Sequence, residues 1–108
     1  MKMKAAVKVD ERPLYIMQEV DIPEIKPDEA LVRVKTVGLC GTDVAIRNNT
    51  FMGRHGPVKL PIIAGHEFCG EIVEVGSQVS KFRVGDRVTT STIKGCGKCY
   101  ACKVGIFN

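Results

Sequence analysis

IIAGHEFCGEIVEVG, running from Ile62 to Gly76, carries both the strand pattern and the side chains on which the reading of this chain turns. Glu71, Val73 and Val75 alternate with Ile72 and Glu74, the period of two that marks a strand with unlike faces. His66 and Glu67 stand just before that alternation. Neighbours in a regular strand point to opposite faces. Gly65 beside them permits an irregular backbone, and so a turn in which both side chains reach one side.

Outward from this stretch the chain reads as short strands divided by turn chemistry. MKAAVKV (3–9) and LYIMQEV (14–20) are two runs separated by DERP. Pro23 and Pro27 forbid regular structure in the next segment. ALVRVKTVG (30–38) follows, with Val32, Val34 and Thr36 set against Arg33 and Lys35, a strand expected to have one wet face. GTDVAIRNN (41–49) fits one or two helical turns, with Thr42 or Asp43 as the expected N-cap. TFMGRHGPVKLP (50–61) is a loop by its Gly and Pro content. KFRVGDRVTTSTI (81–93) closes as a further strand, with Gly85 and Asp86 supplying a turn. Many short strands and few helical periods predict a mostly β, barrel-like domain.

Composition narrows the class. The 108 residues suffice for one domain with a modest core. At 44% hydrophobic and 26% charged, the chain is of ordinary globular composition. No apolar run approaches the roughly 18 residues of a membrane span. MKMKAAVKVDERP lacks the apolar stretch of a signal peptide, so the expected compartment is the cytoplasm. The net charge of +4 is scattered, the pattern of a wet surface rather than of a nucleic-acid footprint. Five cysteines in a reducing compartment read as metal ligands, catalytic thiols or buried small residues before they read as disulfides.

Two sets of residues carry chemistry. Cys40 ends the strand before the helix, and with His66 and Glu67 it offers a thiolate, an imidazole and a carboxylate. Their charges balance Zn²⁺, and three protein ligands leave a position open, as in catalytic zinc sites. The same residue types also serve as packing, Cys40 as a small hydrophobe and His66 as a satisfied core histidine. Their spacing does not decide between the two. The second set is KGCGKCYACKVG (94–105), where Cys96, Cys99 and Cys102 recur every three residues. A closed structural zinc site takes four ligands.

The order of the motifs adds a resemblance. Gly65, His66, Glu67, Gly70, Gly76 and Val79 match the signature of zinc-containing medium-chain alcohol dehydrogenases, and GLCGTDV upstream and GCGKCYACKVG downstream resemble the same family in register. Within it the likeness is to threonine and polyol (sorbitol-type) dehydrogenases. The resemblance spans essentially the whole chain. It implies the partly open β-barrel of the GroES-like class, with one short helix after Cys40 and an irregular cysteine lobe. Residues 1–108 then correspond to the N-terminal part of the catalytic domain. The resemblance implies that Cys40, His66 and Glu67 bind catalytic zinc. It makes Cys96, Cys99 and Cys102 ligands of a structural zinc whose fourth cysteine lies past Asn108. Thr42 corresponds to the hydroxyl that relays the alcohol proton, with a helix cap as its other reading.

Ala45 stands where many relatives carry a histidine and cannot pass a proton, so water, the cofactor ribose or another group must complete the path. His55 is one candidate, beside its plainer reading as a solvated loop histidine. Cys69 is expected to pack. The implied activity is oxidation of a secondary alcohol, polyol or amino alcohol with NAD or NADP. No Gly-x-Gly-x-x-Gly unit for a dinucleotide occurs, so the cofactor domain is expected to be absent from this chain, and the fragment alone inactive. The expected partners are a small-molecule alcohol and further copies in a dimer or tetramer of the parent, with no nucleic acid and no membrane. Two rivals are a co-chaperonin-like binding module, which would need none of the three motifs, and a small zinc-binding protein without catalysis, such as a zinc-ribbon nucleic-acid binder, which would want a second CxxC pair and a basic, aromatic-studded face.

Overall fold

The computed structural model describes residues 1–53, 56–93 and 95–106. Among the described residues eight strands and two short helices follow one another as β1 (Lys2–Lys8), β2 (Ile16–Asp21), β3 (Ala30–Val37), α1 (Gly41–Arg47), β4 (Met52–Gly53), β5 (Gly56–Pro57), β6 (Ile62–Ile63), β7 (Phe68–Val75), β8 (Arg87–Thr89) and α2 (Tyr100–Lys103). They form two three-stranded antiparallel sheets, ordered β2-β1-β6 and β3-β7-β8, and one two-stranded ribbon, β4-β5. The fold is mainly β, as expected, and its sheets stay open rather than closing on themselves.

The alternating segments do form the long strands. In β7 the register against β3 runs from Ala30 opposite Val75 to Val37 opposite Phe68, with irregularities between Leu31 and Val32 and between Val34 and Thr36. Gly70 is required at this crossing, because a Cβ there would sit 2.3 Å from the Arg33 carbonyl oxygen. Gly85, at φ +94°, turns the chain into β8 while the Asp86 carboxylate accepts from the Arg83 N–H at 3.0 Å.

Three expectations need correction. The α1 N-cap is Cys40, not Thr42 or Asp43. Asp43 instead lies at the third helical position, where its carboxylate accepts the Cys40 N–H at 2.9 Å. The single wet face of β3 fails after Arg33, since Val34 and Val37 are both exposed, and the register irregularities explain how the alternation is lost. The strand expected over 81–93 shrinks to Arg87–Thr89. Part of the 50–61 loop forms the β4-β5 ribbon, and the cysteine lobe holds the helical turn α2.

The core is small. Ala5, Val7, Ile46 and Ile72 are the buried apolar residues among those described, worth roughly 1.5–3 kcal/mol for each large side chain. The chain exposes 8706 Å², where a compact chain of its 11.8 kDa exposes about 5,900 Å². Exposed apolar side chains lie both on the strands, as at Met17, Val34 and Val37, and in loops, as at Leu39, Phe82 and Val84. No helix among the described residues is long and apolar enough to cross a membrane.

Candidate metal centre

β3 and β7 bring the first set of residues together. Beyond the last β3 residue the chain continues the pairing, the Gly38 N–H donating to the Glu67 carbonyl at 2.7 Å. That bond places Cys40, two residues on, beside the segment before β7. Gly65, at φ +114°, breaks the extended backbone there, so His66 and Glu67 precede the regular strand. One ligand atom each from Cys40, His66 and Glu67 then falls within 4.8 Å of the others, close to twice a zinc–ligand distance of roughly 2.0–2.3 Å. Gly38 completes the arrangement, since a Cβ there would stand 3.0 Å from Glu67 Oε2.

The surroundings fit a metal. Asp43 is buried, and its Oδ1 has no hydrogen-bond partner among the described residues. This oxygen lies 3.8 Å from His66 Nδ1, too long for a hydrogen bond but facing the ring. Metal-bound histidines characteristically turn their second ring nitrogen toward a carboxylate, which fixes the tautomer and leaves the other nitrogen for the ion. Sequence reasoning treated Asp43 only as a cap. The spacing from Cys40 to Asp43, three residues as in a capping box, was the available signal. Thr42 is half-buried, with Cys40 Sγ 3.7 Å from its Oγ1.

A cleft of about 600 Å³ opens beside these residues, lined by His66, Glu67, Cys69, Thr36, Thr92 and Ile93 among others. Thr89 and Thr90 brace its wall, donating to the Phe68 and His66 carbonyls at 3.1 and 2.7 Å. Cys69 is exposed into this cleft, contrary to the packing expected of it. Ala45 lies on α1, and His55 falls outside the described residues.

The second cluster is local. Cys96, Cys99 and Cys102 also place their sulfurs within 4.8 Å of one another, with Sγ–Sγ distances of 3.7 Å (Cys96 to Cys102) and 3.5 Å (Cys99 to Cys102). Gly97, at φ +72°, turns the chain so that the Cys99 N–H donates to Cys96 Sγ at 3.3 Å. The Lys98 backbone N–H, then that of Cys99 and the neighbouring thiols, pull the Cys96 thiol down to about 7. Stabilised thiolates at such spacing suit a soft cation.

With the geometry in hand, the comparisons are consistent with one another. A family model described as the alcohol dehydrogenase GroES-like domain matches residues 26–108. An L-threonine 3-dehydrogenase of Rhizobium rhizogenes is 43% identical over 103 residues, covering 95% of this chain and 30% of the relative. A sorbitol dehydrogenase of Bacillus subtilis is 44% identical over 106 residues, covering 98% and 30%. Among solved structures, a cobalt- and zinc-bound thermostable alcohol dehydrogenase from Pyrobaculum aerophilum superposes with a TM-score of 0.87 at 28% identity, covering 99% of this chain and 32% of that one. The chain thus spans about a third of the length of the curated relatives it matches.

Proposed function

The chain belongs to the alcohol dehydrogenase GroES-like domain family, and from that premise we propose that it is the N-terminal part of the catalytic domain of a zinc-dependent dehydrogenase. The observation that carries this reading is the convergence of Cys40, His66 and Glu67 beside a cleft that His66 and Glu67 help to line. The three would hold zinc, which when bound supplies Lewis acidity to an alcohol oxygen so that its proton is lost near neutral pH. The Asp43 carboxylate faces the His66 ring across 3.8 Å and favours the tautomer that leaves the other ring nitrogen for the ion. Thr42 Oγ1 takes the alcohol proton and passes it on. Ala45 offers no further acceptor, so a group other than residue 45 would have to accept the proton from Thr42. The hydride acceptor, NAD or NADP, is bound by a part of the longer polypeptide with no counterpart in these residues. Cys96, Cys99 and Cys102 contribute to a structural zinc site.

The hydroxyl-bearing wall of the cleft, with Thr36 and Thr92, suits a polyol or an amino alcohol better than a purely apolar alcohol. The relatives' names, threonine 3-dehydrogenase and sorbitol dehydrogenase, fall in those two classes. The working form is a cytoplasmic homo-oligomer. The deciding experiment is metal exchange in the full-length enzyme. Chelation should abolish nicotinamide-linked oxidation of polyols or hydroxy amino acids, and zinc should restore it. Full activity in a Cys40→Ser, His66→Ala double variant would overturn the reading.

A further inference from the structure

The connection between β1 and β2 is bound unusually tightly for a surface loop. Lys8 is 1% exposed, and its ammonium donates to the carbonyls of Asp10 at 3.0 Å and Arg12 at 2.9 Å. The Asp10 carboxylate accepts from the Arg12 backbone N–H at 3.0 Å and from its guanidinium at 2.7–3.0 Å. A loop that only joined two hairpin strands needs none of this. Two bonds show where the rigidity is directed. Asn49, in the left-handed region at φ 59°, donates from Nδ2 to the Glu11 carbonyl at 2.6 Å. Tyr15 donates its hydroxyl to the Asp43 carbonyl at 2.9 Å. The loop therefore grips α1 just past its C-terminal end and in its first turn.

We propose that the segment Val9–Tyr15 is a clamp on α1, and that Tyr15 is a positioning residue for the metal cluster. The route is short. Tyr15 fixes the backbone of Asp43, whose carboxylate holds the Cys40 N–H and faces His66. One contact made from the loop before β2 thus bears on the position of Cys40 and on the carboxylate that faces His66. α1 has seven residues, too few to hold its own position without tertiary contacts. Its buried anchor is Ile46, near the far end from Cys40. The Tyr15 bond supplies the second point that a helix needs to be fixed in direction as well as place. This proposal rests on Cys40, His66 and Glu67 being a metal site.

The test uses the full chain with cobalt(II) as a probe, in a background where Cys99 and Cys102 are replaced by serine. The cobalt absorption lost in Cys40→Ser then reports the cluster. Tyr15→Phe and Asn49→Ala remove the two grips separately, and Arg12→Ala, which disturbs the same loop without touching α1, is the control. Tyr15→Phe should weaken cobalt binding about 2- to 13-fold, the worth of one hydrogen bond of roughly 0.5–1.5 kcal/mol, and shift the ligand-field bands. Amide exchange at the α1 end, followed at Asn48 and Asn49 without metal, should quicken in Tyr15→Phe and Asn49→Ala but not in Arg12→Ala. Unchanged exchange in both grip variants would overturn the clamp whatever the metal does. Faster exchange with unaltered cobalt affinity and bands would overturn the positioning role. Absence of any Cys40-dependent cobalt spectrum in the parent chain would instead remove the metal site on which the positioning role stands.

Discussion

The two clusters of ligand-type side chains are alike in spread and opposite in construction. Cys96, Cys99 and Cys102 come from one turn, exposed for the most part, and are gathered by Gly97 and backbone N–H groups within the same seven residues. Cys40, His66 and Glu67 come from two segments that meet only because β3 and β7 pair. The first cluster can form wherever its local turn forms. The second exists only as far as the sheet and α1 are in place. Local assembly allows a metal to order the loop around it. Tertiary assembly brings other parts of the fold against these side chains, Gly38 beside Glu67 and Asp43 facing His66, with Tyr15 bonded in turn to Asp43.

The largest expected effect is chemical and confined to the tertiary cluster. In the full-length dehydrogenase proposed above, Thr42→Val should lower turnover on the order of 10²–10⁴-fold, the usual contribution of a proton-transfer group. Zinc content should stay the same, because valine preserves shape and Thr42 lies at the second helical position, not at the cap. Turnover near that of the parent, measured with metal content by elemental analysis, would move the proton path elsewhere and make the two clusters more alike than argued.

A structural break should divide the clusters cleanly. In Gly70→Ala the added Cβ meets the Arg33 carbonyl oxygen at 2.3 Å and Val32 Cγ1 at 2.7 Å, so β3 and β7 must separate. Overpacking of this kind costs about 1–3 kcal/mol or more, a large part of the stability of a small domain. Cobalt titration should show the Cys40-dependent signal weakened, while binding by the three cysteines persists. Equal loss at both sites would mean that the cysteine turn also depends on the sheet.

The converse change should be quieter. Cys99→Ser removes one sulfur from the local cluster and should abolish tight soft-metal binding there. Denaturant unfolding of the metal-free β scaffold should shift by no more than about 0.5 kcal/mol, as for other exposed substitutions. A larger shift would show the turn supporting the sheets.

The same contrast explains what could be read before the fold was known. The local cluster is written in its spacing. The long strands are legible in β7, where Gly70 and Ile72 are buried between neighbours that are half-buried or exposed. In β3 the alternation misleads, because register irregularities and an open face leave Val34 and Val37 exposed. The ligand set Cys40, His66 and Glu67 was suggested by residue order and family resemblance, not by spacing. What supports that set was hidden, since the Tyr15–Asp43 bond joins residues 28 positions apart and leaves no periodic trace. Asp43 could have been found through the capping-box spacing. Tyr15 could not.

The smallest effect concerns pH and again touches only the tertiary side. Burial, and next the charge of Asp43, raise the Tyr15 hydroxyl above its ordinary value of 10.0. The neutral hydroxyl is the form that donates to the Asp43 carbonyl, so the folded chain holds this proton longer than the unfolded one does. Below about pH 10 both states are protonated and the contribution is complete. As pH rises past that point the unfolded state releases its proton first, and stability falls until the folded hydroxyl ionises as well. Unfolding measured across the alkaline range should therefore show a downward slope that Tyr15→Phe makes shallower. The exchange of α1 amides should follow the same pH course, after correction for the intrinsic rate. An identical slope in parent and variant would assign the alkaline loss to other groups and leave the Asn49–Glu11 bond as the grip on α1 from this loop.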